Sequence, residues 1–251
     1  MGYEMILRYG IVLFLYFFCF SSLTYSYFSI VKTPNGMKSI VATPNQYSNK
    51  KQYPMLIVLH GIKEDMHLSY RRFKSIADTF QMILVCPEGS DYEQAYLRQG
   101  TDDLAQVAWL YKHLQKKYSI DQRSVYLVGF SRGGNVALEL GMRYPNLFQN
   151  IVSFFGFFNY NFIQSYMKEF PLEIWQKNRF YLITGKGDLT EQSMRRAYAF
   201  FNEKNIVSQL WIYDDLIHSL PKNMSFVFSE IIDSKRSLKP RILALKNGTD
   251  I

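Results

Sequence analysis

Residues 125–144 read VYLVGFSRGGNVALELGMRY. An apolar β-prone run, Val125 to Val128, meets a glycine-flanked serine, and a helix-compatible run departs from Asn135. Gly129-Phe130-Ser131-Arg132-Gly133 fits G-x-S-x-G in the strand-to-helix context that gives this pattern meaning. A serine on such a sharp turn projects its hydroxyl above a sheet. Side chains two positions either way would collide with neighbouring backbone, and Gly134 lets the new helix pack closely. A tight turn that merely needs small residues would also select glycine; with the strand before and the helix after, the turn reads as one built to expose Ser131.

Outward from this turn, the chain alternates. FSIV and KSIVAT flank Thr33-Pro34-Asn35-Gly36, a hairpin signal. Residues 45–52 are polar and linker-like, and Met55 to Leu59 is a continuous apolar run of the kind a strand covered on both faces shows. A helix is expected over Ser69 to Phe80, a strand at MILVC, and a helix over Asp102 to Tyr118. IVSFF, RFYLITG and SQLWIYD read as further strands, with a helix over Glu191 to Lys204 between the last two. Buried strands alternating with helices predict an α/β fold: a mostly parallel sheet flanked by helices, preceded by an antiparallel hairpin. Ligands gather outside the carboxyl ends of such strands. That draws attention to His60-Gly61, Pro87-Glu88-Gly89, Ser131, Gly156, Gly185 to Asp188 and Asp214 to His218.

A serine hydroxyl needs a base. Of the 4 histidines, His113 falls inside a helix, His67 in a polar loop and His60 at a strand end; only His218 follows Ser131. His218 is therefore the expected base. Asp188, after YLITGKG, gives the order Ser–Asp–His and is the expected orienting acid, ahead of Asp214 and Asp215, which read as turn residues. An oxyanion would be held by the amides of Arg132 and Ile62. The Arg132 side chain is expected to pair with a surface acid instead. His60, Gly61, Phe157 and Phe158 are expected to contact substrate; the last two belong to FFGFFNYNF at residues 154–162, whose rings would either line a pocket or close the core beneath a short cap. The short interval between Gly156 and Arg179 allows a small cap over an open cleft and no large lid.

The chain resembles the α/β-hydrolase superfamily, and within it the polyhydroxybutyrate-depolymerase and feruloyl-esterase type of serine esterase. The resemblance rests on PMLIVLHG (54–61), the Asp102-Asp103 pair, IDQRSVYLVGFSRGG (120–134), Asp188 and His218. It implies hydrolysis of carboxylic esters through an acyl-enzyme, without metal or organic cofactor. Acyl transfer or peptide hydrolysis on the same scaffold, or a binding protein that has kept the fold, are the alternative readings.

Composition narrows the rest. At 251 residues, 48% hydrophobic and 20% charged, the chain suits one packed domain over residues 27–233. Its +8 formal charge is scattered without a nucleic-acid-binding module, and no obligate protein partner is evident. The expected partner is a small or medium ester substrate. Residues 1–26, with YGIVLFLYFFCF at 9–20, read as a secretory signal peptide, or alternatively as a membrane anchor over 9–28; either makes the domain secreted, periplasmic or membrane-associated. Cys19 lies in that leader, which leaves Cys86 as a buried small hydrophobe with no disulfide partner. Residues 234–251 read as a basic tail.

Overall fold

The structure, a computed structural model, describes residues 28–96, 99–234 and 240–246. The leader, Cys19 and the last five residues of the tail lie outside them. Strands β1 (Phe28–Lys32), β2 (Lys38–Ala42), β3 (Tyr53–Leu59), β4 (Ile83–Pro87), β5 (Ile120–Phe130), β6 (Asn150–Phe154), β7 (Arg179–Gly185), β8 (Val207–Tyr213) and β9 (Arg241–Leu245) build a single sheet. Their spatial order is β1-β2-β4-β3-β5-β6-β7-β8-β9. The β1–β2 hairpin joins β4 antiparallel, and every other pairing is parallel. This is the architecture that the resemblance implies.

Parallel strands need both faces covered, and the side-chain alternation supplies two cores. On one face Met55, Ile57, Leu59, Leu127, Ile151 and Leu182 pack against the helices α2 (Asp103–Lys117), α3 (Arg132–Arg143) and α6 (Glu191–Glu203). On the other, Leu56, Val58, Cys86, Val128, Ile183 and Trp211 meet α1 (Met66–Thr79) and α7 (Met224–Asp233). The short helices α4 (Tyr160–Tyr166) and α5 (Leu172–Trp175) occupy the interval between β6 and β7. Cys86 is fully buried and unpaired, and burial pushes its thiol pKa up.

Register sets the position of the site. Leu59 lies opposite Gly129, Phe130 opposite Phe154, Phe154 opposite Ile183, and Gly185 opposite Tyr213. The carboxyl ends of five neighbouring strands therefore finish level, and the loops leaving them meet above one edge.

Two sequence expectations need correction. His67 lies in the first turn of α1, which begins at Met66 because the Asp65 side chain caps the Leu68 amide at 2.7 Å. The basic tail contains β9, paired parallel to β8 with Gln209 opposite Arg241 and Tyr213 opposite Leu245. RILAL is a mostly exposed edge strand, so it lacks the apolar context that marks the central ones.

Candidate active site

Ser131 sits between β5 and α3 with φ 54° and ψ −119°, a region that L-residues rarely adopt. Crowding around the glycines enforces that turn. A Cβ on Gly129 would stand 1.9 Å from the Gly133 carbonyl oxygen, and one on Gly133 2.2 Å from that of Leu59. The Ser131 amide donates to the Phe154 carbonyl at 2.8 Å, and the amides of Gly134 and Asn135 donate to the Ser131 carbonyl. Ser131 holds the N-cap position of α3, but its side chain makes no capping bond. The hydroxyl instead lies 3.0 Å from His218 Nε2.

His218 leaves β8 on a loop drawn close to β7. The Leu216 carbonyl oxygen would lie 1.7 Å from any Cβ at Gly185, so only glycine admits this approach. The His218 backbone is itself strained at φ 34°, and its ring rests near Phe130 and Phe155, with centroids 5.5 and 5.1 Å away. Nδ1 faces Asp188 Oδ2 at 3.2 Å. Asp188 Oδ1 accepts from both the Thr190 hydroxyl at 2.7 Å and the Thr190 amide at 2.8 Å. Since the Thr190 hydroxyl is spent on Asp188, the Thr184 hydroxyl 2.8 Å away donates to it in turn. Burial acts to raise the Asp188 pKa, but the Thr190 donors and the His218 ring outweigh it and leave the carboxyl below its ordinary value. An ionised carboxylate can only accept. Nδ1 therefore carries the ring proton, and the Nε2 lone pair faces the Ser131 hydroxyl.

Asp214 ion-pairs with Lys186 at 3.6 Å, which leaves Asp188 as the carboxylate against Nδ1. His113 is exposed and stacks on Trp109.

The Arg132 and Ile62 amides have no acceptor among the described residues. Arg132 begins α3, where first-turn N–H groups lack helical partners and the helix dipole favours negative charge. Ile62 follows an anchored peptide. His60, expected to contact substrate, is instead 1% exposed. Its Nδ1 donates to the Gly61 carbonyl at 2.8 Å and its Nε2 accepts from the Gly89 amide at 2.9 Å. Because a trans peptide points its C=O and N–H in opposite directions, holding the Gly61 carbonyl inward turns the Ile62 N–H outward. The Gly61 amide donates to Glu64 Oε2 at 2.7 Å, and Glu64 Oε1 accepts from Arg72 at 2.6 Å. Gly61 is buried directly behind Ser131, with room for a Cβ only 3.4 Å from that of the serine. Both residues thus shape the loop from below, and neither lines the cleft.

A cleft of about 740 Å³ opens at Ser131. Ile62, Arg132, Phe157 and Phe158 line it, joined by Tyr160 and Phe162 from the small cap. Asn135 accepts from the Phe157 amide at 2.6 Å, and Ser193 from the Phe158 amide at 2.8 Å, which fixes the aromatic segment beside the serine. Arg132 makes no ion pair among the described residues, contrary to the expectation of a surface partner. No group of three or more potential metal ligands occurs among them either. Thr190, Glu64 and Asn135 escaped sequence reasoning. Only Thr190, two residues from Asp188, carried a local signal, because short Asp-x-Thr spacings favour such bonds.

The chain resembles known proteins in sequence and fold. The profile of a family described as "Putative esterase" matches residues 31–215. A bifunctional acetylxylan esterase/xylanase of Neocallimastix patriciarum is 35% identical over 83 residues, 32% of this chain; the match spans 12% of that relative's length. Among solved structures, a ferulic acid esterase has a TM-score of 0.64 at 16% identity, over 84% of this chain and 97% of its own. The fluorophosphonate-binding serine hydrolase F of Staphylococcus aureus has a TM-score of 0.65 at 14% identity, over 82% and 96% respectively. At these identities the two structures show a common fold.

Proposed function

The chain belongs to the esterase family, and on that premise we propose that it hydrolyses carboxylic esters through an acyl-enzyme on Ser131. One observation carries the reading: a continuous hydrogen-bonded line from Ser131 Oγ through His218 to Asp188, with two unmet amides beside it.

In the first half-reaction, His218 Nε2 takes the Ser131 proton as Oγ attacks the ester carbonyl. The developing oxyanion is held by the Ile62 and Arg132 amides, each worth on the order of a hundredfold in rate or more. The tetrahedral intermediate collapses, its alcohol leaves with the proton from the imidazolium, and Ser131 keeps the acyl group. A water then gives a proton to His218 and attacks the acyl carbon, releasing the acid and restoring the serine. Asp188 stays ionised throughout, orienting the ring and stabilising its charged form.

The aromatic cleft suits a small or medium acyl group. The relatives' names, acetylxylan esterase and ferulic acid esterase, agree with that size range. For location we propose export, on the sequence of residues 1–26. N-terminal sequencing of the recovered chain separates the two forms: a start after Ser26 is a cleaved leader, whereas a retained Met1 in the membrane fraction is an anchor.

The catalytic reading is tested by hydrolysis of p-nitrophenyl acetate and butyrate by residues 27–251, beside Ser131→Ala. Turnover lost in the variant supports it. Equal turnover in both, with Ser131→Ala folded, overturns it.

A further inference from the structure

Arg132 is only partly exposed and lines the cleft, yet among the described residues it has no hydrogen-bond acceptor, no ion pair and no ring against it. Two other arginines have partners: Arg72 meets Glu64 at 2.6 Å, and Arg143 meets both oxygens of Asp102 at 2.8 and 2.7 Å. The Arg132 guanidinium is not among the buried unpartnered groups, so its donors face the solvent of the cleft, and with no acceptor among the described residues they are available to one that enters with a ligand.

No protein carboxylate in the cleft fills that place. Glu139, the one acid lining it among the described residues, accepts from the Tyr166 hydroxyl at 2.9 Å, and burial raises its pKa. Apart from the Tyr160 hydroxyl, which accepts from Gln164, the remaining polar side chains lining the cleft beside Ser131 are amides: Asn135 accepts from Phe157, Asn159 from Phe162, and Asn161 lies alongside. Among the described residues the cleft therefore presents one cation without a protein partner, beside one carboxyl already held by Tyr166 and otherwise amides, hydroxyls and rings. A single planar guanidinium matches the two oxygens of a carboxylate in two parallel hydrogen bonds. The +8 formal charge of the chain favours the approach of an anion from a distance.

We propose that the Arg132 guanidinium selects esters that carry a carboxylate close to the scissile carbonyl. Arg132 then serves twice, its amide on the oxyanion and its side chain on the substrate's own charge. The inference rests on the esterase reading and narrows its substrate class.

Two matched pairs test it and locate the carboxylate. The p-nitrophenyl esters of adipic and hexanoic acid place it on the acyl part; 4-acetoxybenzoate and 4-acetoxybenzamide place it on the leaving group. The quantity read is the ratio of kcat/KM, anionic over neutral, for wild type, Arg132→Lys and Arg132→Gln. Wild type should favour the anionic member of at least one pair by about tenfold or more, as a charge-assisted contact allows. Arg132→Gln should bring that ratio near one whatever it does to overall turnover, and Arg132→Lys should fall between. Salt at about 0.5 M should reduce the wild-type preference. Neutral esters turned over with both ratios at or below one would overturn the proposal and leave the esterase reading standing, as would a preference unchanged in Arg132→Gln. Failure to turn over all four esters would remove both.

Discussion

Asp188 divides its carboxylate between two neighbours, with Oδ2 turned to His218 Nδ1 at 3.2 Å and Oδ1 held by Thr190. The acid is thereby locked before it orients the base. Its side chain is 5% exposed while that of His218 is 41% exposed, so the ring is tethered from its buried end and open to substrate at the other. Asp188→Asn preserves shape but can present an N–H to Nδ1, which favours the ring tautomer that cannot accept from Ser131. The expected loss in kcat is on the order of 10³ to 10⁴ with the thermal midpoint little changed. Steady-state kinetics and circular dichroism on the same sample check both halves. Full activity would move the acid to another residue.

His60 illustrates a residue whose place was legible but whose task was not. His-Gly after a buried strand marks the site's edge, but nothing local reveals that the ring points inward to the Gly61 carbonyl and the Gly89 amide. Removing it should release the Ile62 amide from its orientation. For His60→Ala we expect kcat to fall about ten- to a hundredfold with KM changed by less than about threefold, because an oxyanion donor acts chiefly in the transition state. A rise in KM with kcat intact would instead return His60 to substrate binding.

The strand–serine–helix turn was readable because its chemistry is local: glycine is needed where another backbone passes within contact. Gly133→Ala would place its Cβ 2.2 Å from the Leu59 carbonyl oxygen, against backbone that cannot yield. At Gly141 the clash is with the Ile151 side chain at 2.6 Å, which can repack. Gly133→Ala should therefore cost about 4 kcal/mol or more, or yield no soluble protein, and Gly141→Ala distinctly less. Soluble yield and urea midpoints rank the two.

The Asp102-Asp103 pair entered as a mark of resemblance, and its physical meaning is structural. Asp102 caps α2 through the Ala105 amide at 3.0 Å and grips Arg143 of α3, while Asp103 is buried and accepts from the Ser90 amide at 2.9 Å. The bond from Arg143, ahead of the opposing effect of burial, holds the Asp102 carboxyl below its ordinary value. Asp102→Ala should destabilise by about 1–2 kcal/mol at neutral pH, mostly through the cap, since the pair is partly exposed. A depressed pKa contributes stability that is present above the unfolded carboxylate value and is lost as pH falls through the folded one. The difference between wild type and variant should thus shrink between about pH 5 and pH 2 in urea unfolding. A difference that stays constant would mean the carboxylate charge contributes nothing.

What sequence could not supply was partnership across the fold. Ser131, Asp188 and His218 were each identifiable from their places after apolar runs, and the level strand ends bring them together. Position alone suggests a surface partner for Arg132 that the described residues do not provide, and RILAL lacks a strand pattern because an edge strand buries too little to show one. Contacts that depend on register and helix packing leave no trace in a neighbouring residue.

The most direct measurement of the central claim is intact and peptide mass spectrometry of the folded chain after treatment with a fluorophosphonate, with Ser131→Ala alongside. A serine activated by His218 should take one adduct, mapped to Ser131 and absent from the variant, with loss of p-nitrophenyl butyrate turnover in step with labelling. An unlabelled Ser131 in a folded, ester-hydrolysing sample, or an adduct on another residue that abolishes turnover, would contradict the account.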